Sequence, residues 1–285
     1  MRFLSVFVIC LFFLISSEAQ ELTQIQKEAI EELLEPYLRM DRPGFAILIS
    51  RGDQILVKKG YGMADLEHGI PINPKTVFYA GSVSKQFVAS CVLFLSEQGK
   101  IDLDASIQSY FPDFPEYGGT ITVRHLLHHT SGLKDYFEIF EAHNIDYLNQ
   151  ISTEEVYNLI RAESKIIFAP GEKYQYSNSG YLLLGMLVQR VSGQRLAEFA
   201  EEHIFKPLGM WDSRFLDNAS ILIPDRAFGY RINLEDEVEN MFMRFDLVGS
   251  GGLYTTVEDL HRWDQNFYRR TVGTEDFFAT LLKPG

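Results

Sequence analysis

Cysteine is nearly absent from this chain: there are two in 285 residues, Cys10 and Cys91. Cys10 lies in the first apolar run, in no convincing lipidation context. Beyond that run Cys91 stands alone, so no disulfide can form there. Set in the apolar stretch Val88 to Leu95, Cys91 reads as a small core hydrophobe and not as a nucleophile. Positive charge is also short. With 26 basic and 39 acidic side chains the formal net charge is −13 at pH 7, a balance that repels nucleic acid. Repeats, low-complexity tracts and linkers are missing too, which favours one folded unit. A chain that is 46% hydrophobic and 13% aromatic is not disordered.

Long hydrophobic runs occur once, at the start. Arg2 precedes the apolar run Phe3 to Ile15, interrupted only by Ser5, and the small residues Ser17 and Ala19 follow. This is the pattern of a secretory signal peptide over residues 1–19, cut after Ala19. An uncleaved membrane anchor is the alternative, but the run is shorter than the roughly 18 residues that crossing a bilayer requires. Residues 1–19 carry one base, Arg2, and one acid, Glu18, so their removal leaves the charge at −13. The expectation is a secreted or periplasmic protein, residues 20–285, with no transmembrane segment once the signal is removed. Its oligomeric state is not readable.

Along the chain, Ile25, Ile30, Leu33, Leu34 and Leu38 recur at helical spacing from Thr23 to Leu38, and Pro43-Gly44 stops the pattern. Phe45 to Ser50 and Gln54 to Lys58 read as a hairpin across Arg51-Gly52-Asp53, a triplet taken as turn chemistry and not as an adhesion motif. Helical periodicity runs from Val83 to Gln98 and stops at Gly99. Thr122 to His128 predicts a short helix. Gly180 to Val191, closed by Ser192-Gly193, predicts a longer one, and Leu196 to Ile204 another that ends before Pro207. Gly249-Ser250-Gly251-Gly252-Leu253-Tyr254 reads as flexible backbone leading to Thr256, the N-cap of a helix through Phe267. Strands followed by helices suggest an α/β lobe with a helical insertion.

Chemistry gathers in two segments. Ser82-Val83-Ser84-Lys85 puts a hydroxyl and an amine one helical turn apart on one face, where the amine can hold or accept the hydroxyl proton. The spacing alone is weak, since Ser131-Gly132-Leu133-Lys134 repeats it. Ser82 follows Gly81 and opens an apolar helix, where its own N–H can face a developing oxyanion. Ser131 sits in a glycine-broken loop. The bland alternative for Ser82 is an N-cap. Tyr176-Ser177-Asn178 presents a phenol and a carboxamide at a helix start. Tyr176 can exchange protons beside an ammonium such as Lys85, and Asn178 can bond that lysine and a substrate amide. Here the alternative is again capping, by Ser177 or Asn178, with a buried tyrosine. His125, His128 and His129 invite a zinc reading, but no carboxylate pattern accompanies them, so neither metal nor cofactor is expected.

At this point the chain resembles the class C serine β-lactamases, the related D,D-peptidases and esterases, and the penicillin-binding-protein-like serine hydrolases around them. The resemblance takes in Phe78 to Lys85, Leu126-Leu127-His128-His129-Thr130-Ser131-Gly132-Leu133, Pro170-Gly171-Glu172, Tyr176 to Tyr181, Pro207-Leu208-Gly209-Met210, Gly251-Gly252-Leu253 and Asp259-Leu260. Several motifs in one order are far more specific than any one of them. The resemblance implies a β-lactamase/transpeptidase-like α/β fold, with an antiparallel sheet flanked by helices and a mainly helical lobe. It implies Ser82 as nucleophile, Lys85 as its proton partner, Tyr176 as general base and later acid, and Asn178 as a substrate and lysine contact. The reaction implied is acyl transfer from a small-molecule or peptide substrate, an amide, ester or lactam, followed by hydrolysis of the acyl-enzyme.

One departure stands out: the family's third motif, of Lys-Thr-Gly or His-x-Gly type, has no counterpart before Gly285. The expectation is therefore a C-terminally incomplete copy that lacks closing strands. It leaves open a second possibility, a non-catalytic or acylation-only binding or sensor domain of the same fold.

Overall fold

The computed structural model describes residues 21–146, 151–241 and 247–284. The expected signal peptide falls outside the described residues.

Thr23 caps α1 (Gln24–Leu34) through a reciprocal pair of side-chain bonds with Gln26, and a 3-10 turn, Glu35–Tyr37, ends it at Pro36. The helix is shorter than the pattern to Leu38 implied. It packs lightly, with Leu34 buried while Ile25 and Leu33 stay about three-quarters exposed, at 78% and 73%. Next come β1 (Phe45–Arg51) and β2 (Gln54–Tyr61), an antiparallel hairpin. Its turn holds Gly52 at φ 59°, and Asp53 is tied to Arg269 at 3.2 Å. Arg51-Gly52-Asp53 is thus a turn braced against the last long helix.

Two short strands, β3 (Met63–Asp65) and β4 (Ile70–Pro71), pair with each other, and β5 (Phe78–Tyr79) leads into α2 (Ser84–Glu97). The helical middle holds α3 (Val123–Leu127), α4 (Tyr136–Ala142), α5 (Thr153–Ala162) and α6 (Asn178–Ser192). Then α7 (Leu196–Ala200) widens into a π turn, Glu201–Phe205, and resumes as α8 (Lys206–Leu208). A stop before Pro207 was expected. The chain instead stays helical through Pro207, because the wide turn and the proline's place early in the last turn remove the need for its missing N–H.

Strands β6 (Arg214–Phe215), β7 (Tyr230–Ile232), β8 (Val238–Asn240) and β9 (Leu253–Thr255) follow, then α9 (Val257–Arg269), capped by Thr256, and α10 (Glu275–Leu281). The segment read as flexible backbone ends in a strand: β9 takes in Leu253 and Tyr254 and is the central strand of an antiparallel sheet in the order β5-β9-β6.

Helices α2 and α6 form the centre. Phe87, Val88, Cys91, Val92 and Leu95 of α2 pack in one core with Leu182, Leu183, Leu184, Leu187 and Val188 of α6. Each such side chain contributes roughly 1.5–3 kcal/mol by leaving water. Helices apolar on nearly every face belong inside a fold, and this pairing sets their first turns side by side. Among the described residues no helix is long and apolar enough to cross a membrane.

Candidate active site

Between β5 and α2 the chain reverses at Gly81, whose φ of 51° lies in the left-handed region that glycine adopts without strain. A single 3-10 turn, Gly81–Val83, then feeds α2. Ser82 sits on this turn and makes no capping hydrogen bond to the helix, so the capping alternative fails for it. Its exposed hydroxyl instead accepts from the Tyr176 phenol at 2.7 Å and from Lys85 Nζ at 3.1 Å.

Lys85, one turn further, is 7% exposed. Its Nζ donates to Ser82 Oγ, to Asn178 Oδ1 at 2.9 Å and to the Ser250 carbonyl at 2.6 Å, which occupies all three ammonium protons. Burial pushes its pKa from 10.5 down to about 8, while the Asp135 carboxylate pulls the other way. Lys85 also lies over the rings of Tyr176 and Tyr181, at 4.8 and 5.6 Å from their centres.

The third element is the start of α6. Ser177 is its N-cap, accepting from Gly180 N at 3.3 Å, so capping and placement of the neighbouring groups coexist in this segment. Asn178 begins the helix, two residues earlier than the apolar pattern suggested. Tyr176 is held by stacking on His129, with ring centres 4.5 Å apart. His129 Nδ1 accepts from Ser177 N at 3.1 Å, and burial, helped by the Lys85 charge, pushes its pKa down to about 4. The ring is therefore a neutral wall, with its proton on Nε2. His125 is committed elsewhere: its Nδ1 accepts from Thr122 N at 3.1 Å. Among the described residues no cluster of histidine, cysteine and carboxylate side chains is placed to hold a metal.

Ser82, Lys85, Tyr176 and Asn178 are thus brought together. Two contributors escaped the sequence reading. Ser250, whose carbonyl fixes Lys85, lay in a glycine-rich stretch taken as flexible; Tyr136 OH to Ser250 Oγ, 2.7 Å, pins it. Gly251 leaves room for the Tyr79 phenol, whose oxygen a Cβ there would approach to 2.5 Å. Asp135, which accepts from both Asn178 nitrogens, carried no motif at all. Its only signal was an N-cap residue ahead of an apolar helix.

The decoy is built differently. Ser131 is 2% exposed and its Oγ accepts from Leu133 N at 3.3 Å, while Lys134 turns away to Glu163 at 3.7 Å.

The beta-lactamase family model matches residues 28–279 of this sequence. The chain belongs to the beta-lactamase family. Among curated relatives, penicillin-binding protein 4* of Bacillus subtilis (strain 168) is 30% identical over 274 residues, covering 91% of this chain and 59% of that protein. A D-aminopeptidase of Gluconobacter oxydans (strain 621H) is 28% identical over 246 residues, covering 86% of this chain and 46% of that protein. The chain therefore spans about half the length of these relatives. An octameric penicillin-binding protein homologue from Pyrococcus abyssi shares the fold with a TM-score of 0.77 and 28% identity, over 89% of this chain and 58% of that one. The β-lactamase/transpeptidase-like α/β architecture expected from the motifs is the one this family member has.

Proposed function

We propose that this protein is an exported serine hydrolase that acylates Ser82 with an amide, ester or lactam carbonyl and then hydrolyses the acyl-enzyme. The observation that carries the reading is that Ser82 Oγ stands 2.7 Å from the Tyr176 phenol and 3.1 Å from Lys85 Nζ. Relatives named as penicillin-binding proteins and D-aminopeptidases point to carbonyls bonded to nitrogen. Export rests on the signal-peptide pattern of residues 1–19, with its apolar run from Phe3 to Ile15.

In the reactive state the Lys85/Tyr176 pair has lost one proton. Neutral Lys85 keeps two N–H bonds, to Asn178 Oδ1 and the Ser250 carbonyl, and turns its lone pair to the Ser82 hydroxyl. The alternative form, Tyr176 phenolate beside Lys85 ammonium, has the same proton count and accepts the same proton. As that proton leaves, Ser82 Oγ bonds the carbonyl carbon, and the Ser82 backbone N–H, at the start of the helix, donates to the developing oxyanion. Collapse expels the leaving group, which takes a proton from the pair. Water then gives a proton to the pair, attacks the acyl carbon, and Ser82 leaves with its hydroxyl restored.

The test is a fluorophosphonate probe located by mass spectrometry, with turnover of a chromogenic cephalosporin followed alongside. Labelling at Ser82 and steady turnover, both abolished in Ser82→Ala, are expected. One equivalent of product followed by silence would replace hydrolysis with an acylation-only sensor. Labelling that survives Ser82→Ala would remove Ser82 from the chemistry.

A further inference from the structure

Asp135 takes no part in the proton transfers just described, yet it sits directly behind the site. Its Oδ2 accepts from Asn178 N at 2.5 Å and from Asn178 Nδ2 at 3.0 Å, and its Oδ1 accepts from Phe137 N at 2.9 Å, capping α4. A carboxamide has a donor end and an acceptor end, whereas a carboxylate only accepts. Asp135 therefore forces Nδ2 of Asn178 inward and leaves Oδ1 facing Lys85, where it is found at 2.9 Å.

We propose that Asp135 is a positioning residue that fixes which end of the Asn178 carboxamide meets Lys85, and so aims the Lys85 lone pair at Ser82. The proposal rests on the hydrolase reading above. With Oδ1 toward Lys85, the amine donates one proton to Asn178 and one to the Ser250 carbonyl, and its remaining position points at the nucleophile. With the carboxamide reversed, Nδ2 would donate to that lone pair and occupy the base.

The groups around Lys85 also bear on its charge. From the loop after α3 comes His129, neutral at pH 7. From the start of α6 come the rings of Tyr176 and Tyr181, the latter phenol pushed up to about 12 by burial. Tyr136, reaching Ser250 from α4, and Tyr79, on β5, are likewise raised by burial and stay neutral. Asp135 is the neighbour that carries negative charge, and it holds the Lys85 pKa up against burial.

Asp135→Ser separates positioning from capping, because a serine oxygen still caps α4 but cannot hold both Asn178 nitrogens. Expected are a thermal midpoint close to wild type and a fall in kcat on the order of tenfold to a hundredfold. A second readout does not depend on activity: competitive acetylation with mass spectrometry, in a Ser82→Ala background, follows the titration of Lys85. Its midpoint should drop by roughly one unit when Asp135→Ser is added. If Asp135→Ser fails to fold by circular dichroism, Asp135→Asn decides on the same readouts. In an Asn178→Ala background Asp135→Asn should lower kcat no further. Wild-type kcat with an unmoved Lys85 midpoint, or an undiminished loss in the Asn178→Ala background, would overturn the proposal. Full turnover by Ser82→Ala would instead end the hydrolase reading, leaving the acetylation readout to judge the placement of Asp135.

Discussion

Ser82 to Lys85 and Ser131 to Lys134 spell the same pattern, and the fold uses them in opposite ways. In the first, a left-handed glycine and a 3-10 turn deliver the serine to the surface while the helix behind it buries the lysine. In the second, Gly132 at φ 73° bends the chain against Phe168, no helix forms until Tyr136, and the serine is buried while the lysine is drawn off to Glu163. Three-residue spacing converges two side chains only on a helix or a turn that leads into one. Burial then decides which lysine is chemically interesting: Lys85 is desolvated to a pKa of about 8, whereas Lys134 keeps an ion pair at 3.7 Å.

The strongest way to break this contrast is paired replacement of the serines. Ser82→Ala is expected to lower kcat/KM on the order of ten-thousandfold, and Ser131→Ala to leave it within about twofold. Equal losses from chromogenic substrate assays would sink the distinction. Next come the lysines. Lys85→Met should cost roughly a thousandfold in kcat, while Lys134→Met should leave kcat unchanged and alter stability by no more than about 1 kcal/mol in urea melts, the range for partly exposed ion pairs. Gly132→Ala tests the decoy as scaffold. A Cβ there would lie 2.1 Å from the Phe168 carbonyl at a positive φ, so a loss of about 2–4 kcal/mol in denaturant melts is expected; a neutral change would mean the turn is not required.

The smallest effect is a pH limb. Since the proposed mechanism requires the Lys85/Tyr176 pair to lose a proton, kcat/KM should fall about tenfold per unit below pH 8 and level off above it. A limb that persists in Lys85→Met would belong to another group. The sign for stability follows from the same depression of the Lys85 pKa from 10.5 to about 8. Between these values the unfolded chain binds more protons, so stability should rise with pH through that window and be lowest, from this group, below pH 8. Lys85→Met should lose this rise.

Much of the scaffold was legible. The hairpin, α2 with its stop at Gly99, α3 behind Thr122 and α9 behind Thr256 all carried periodicity with a cap at the end, and such local signals survive folding. Helical spacing marked α1 but could not say whether a partner surface exists for its apolar stripe; Ile25 and Leu33 stay largely exposed. Pro207 misled because a π turn alters the usual rule. The glycine-rich segment misled because β9 owes its order to β5 and β6, which lie far away in the chain.

Of the site, the sequence by itself singled out the side chains that meet: Ser82, Lys85, Tyr176 and Asn178 stand in short motifs whose spacing already restricts their geometry. Tertiary structure alone decided what surrounds them. The Ser250 carbonyl, the Asp135 carboxylate and the neutral His129 ring reach the site from three other segments, and their roles exist only where those segments meet. The physical reason is range: helix spacing acts over one turn of chain, whereas desolvation and the orientation of an amide depend on neighbours that only packing supplies.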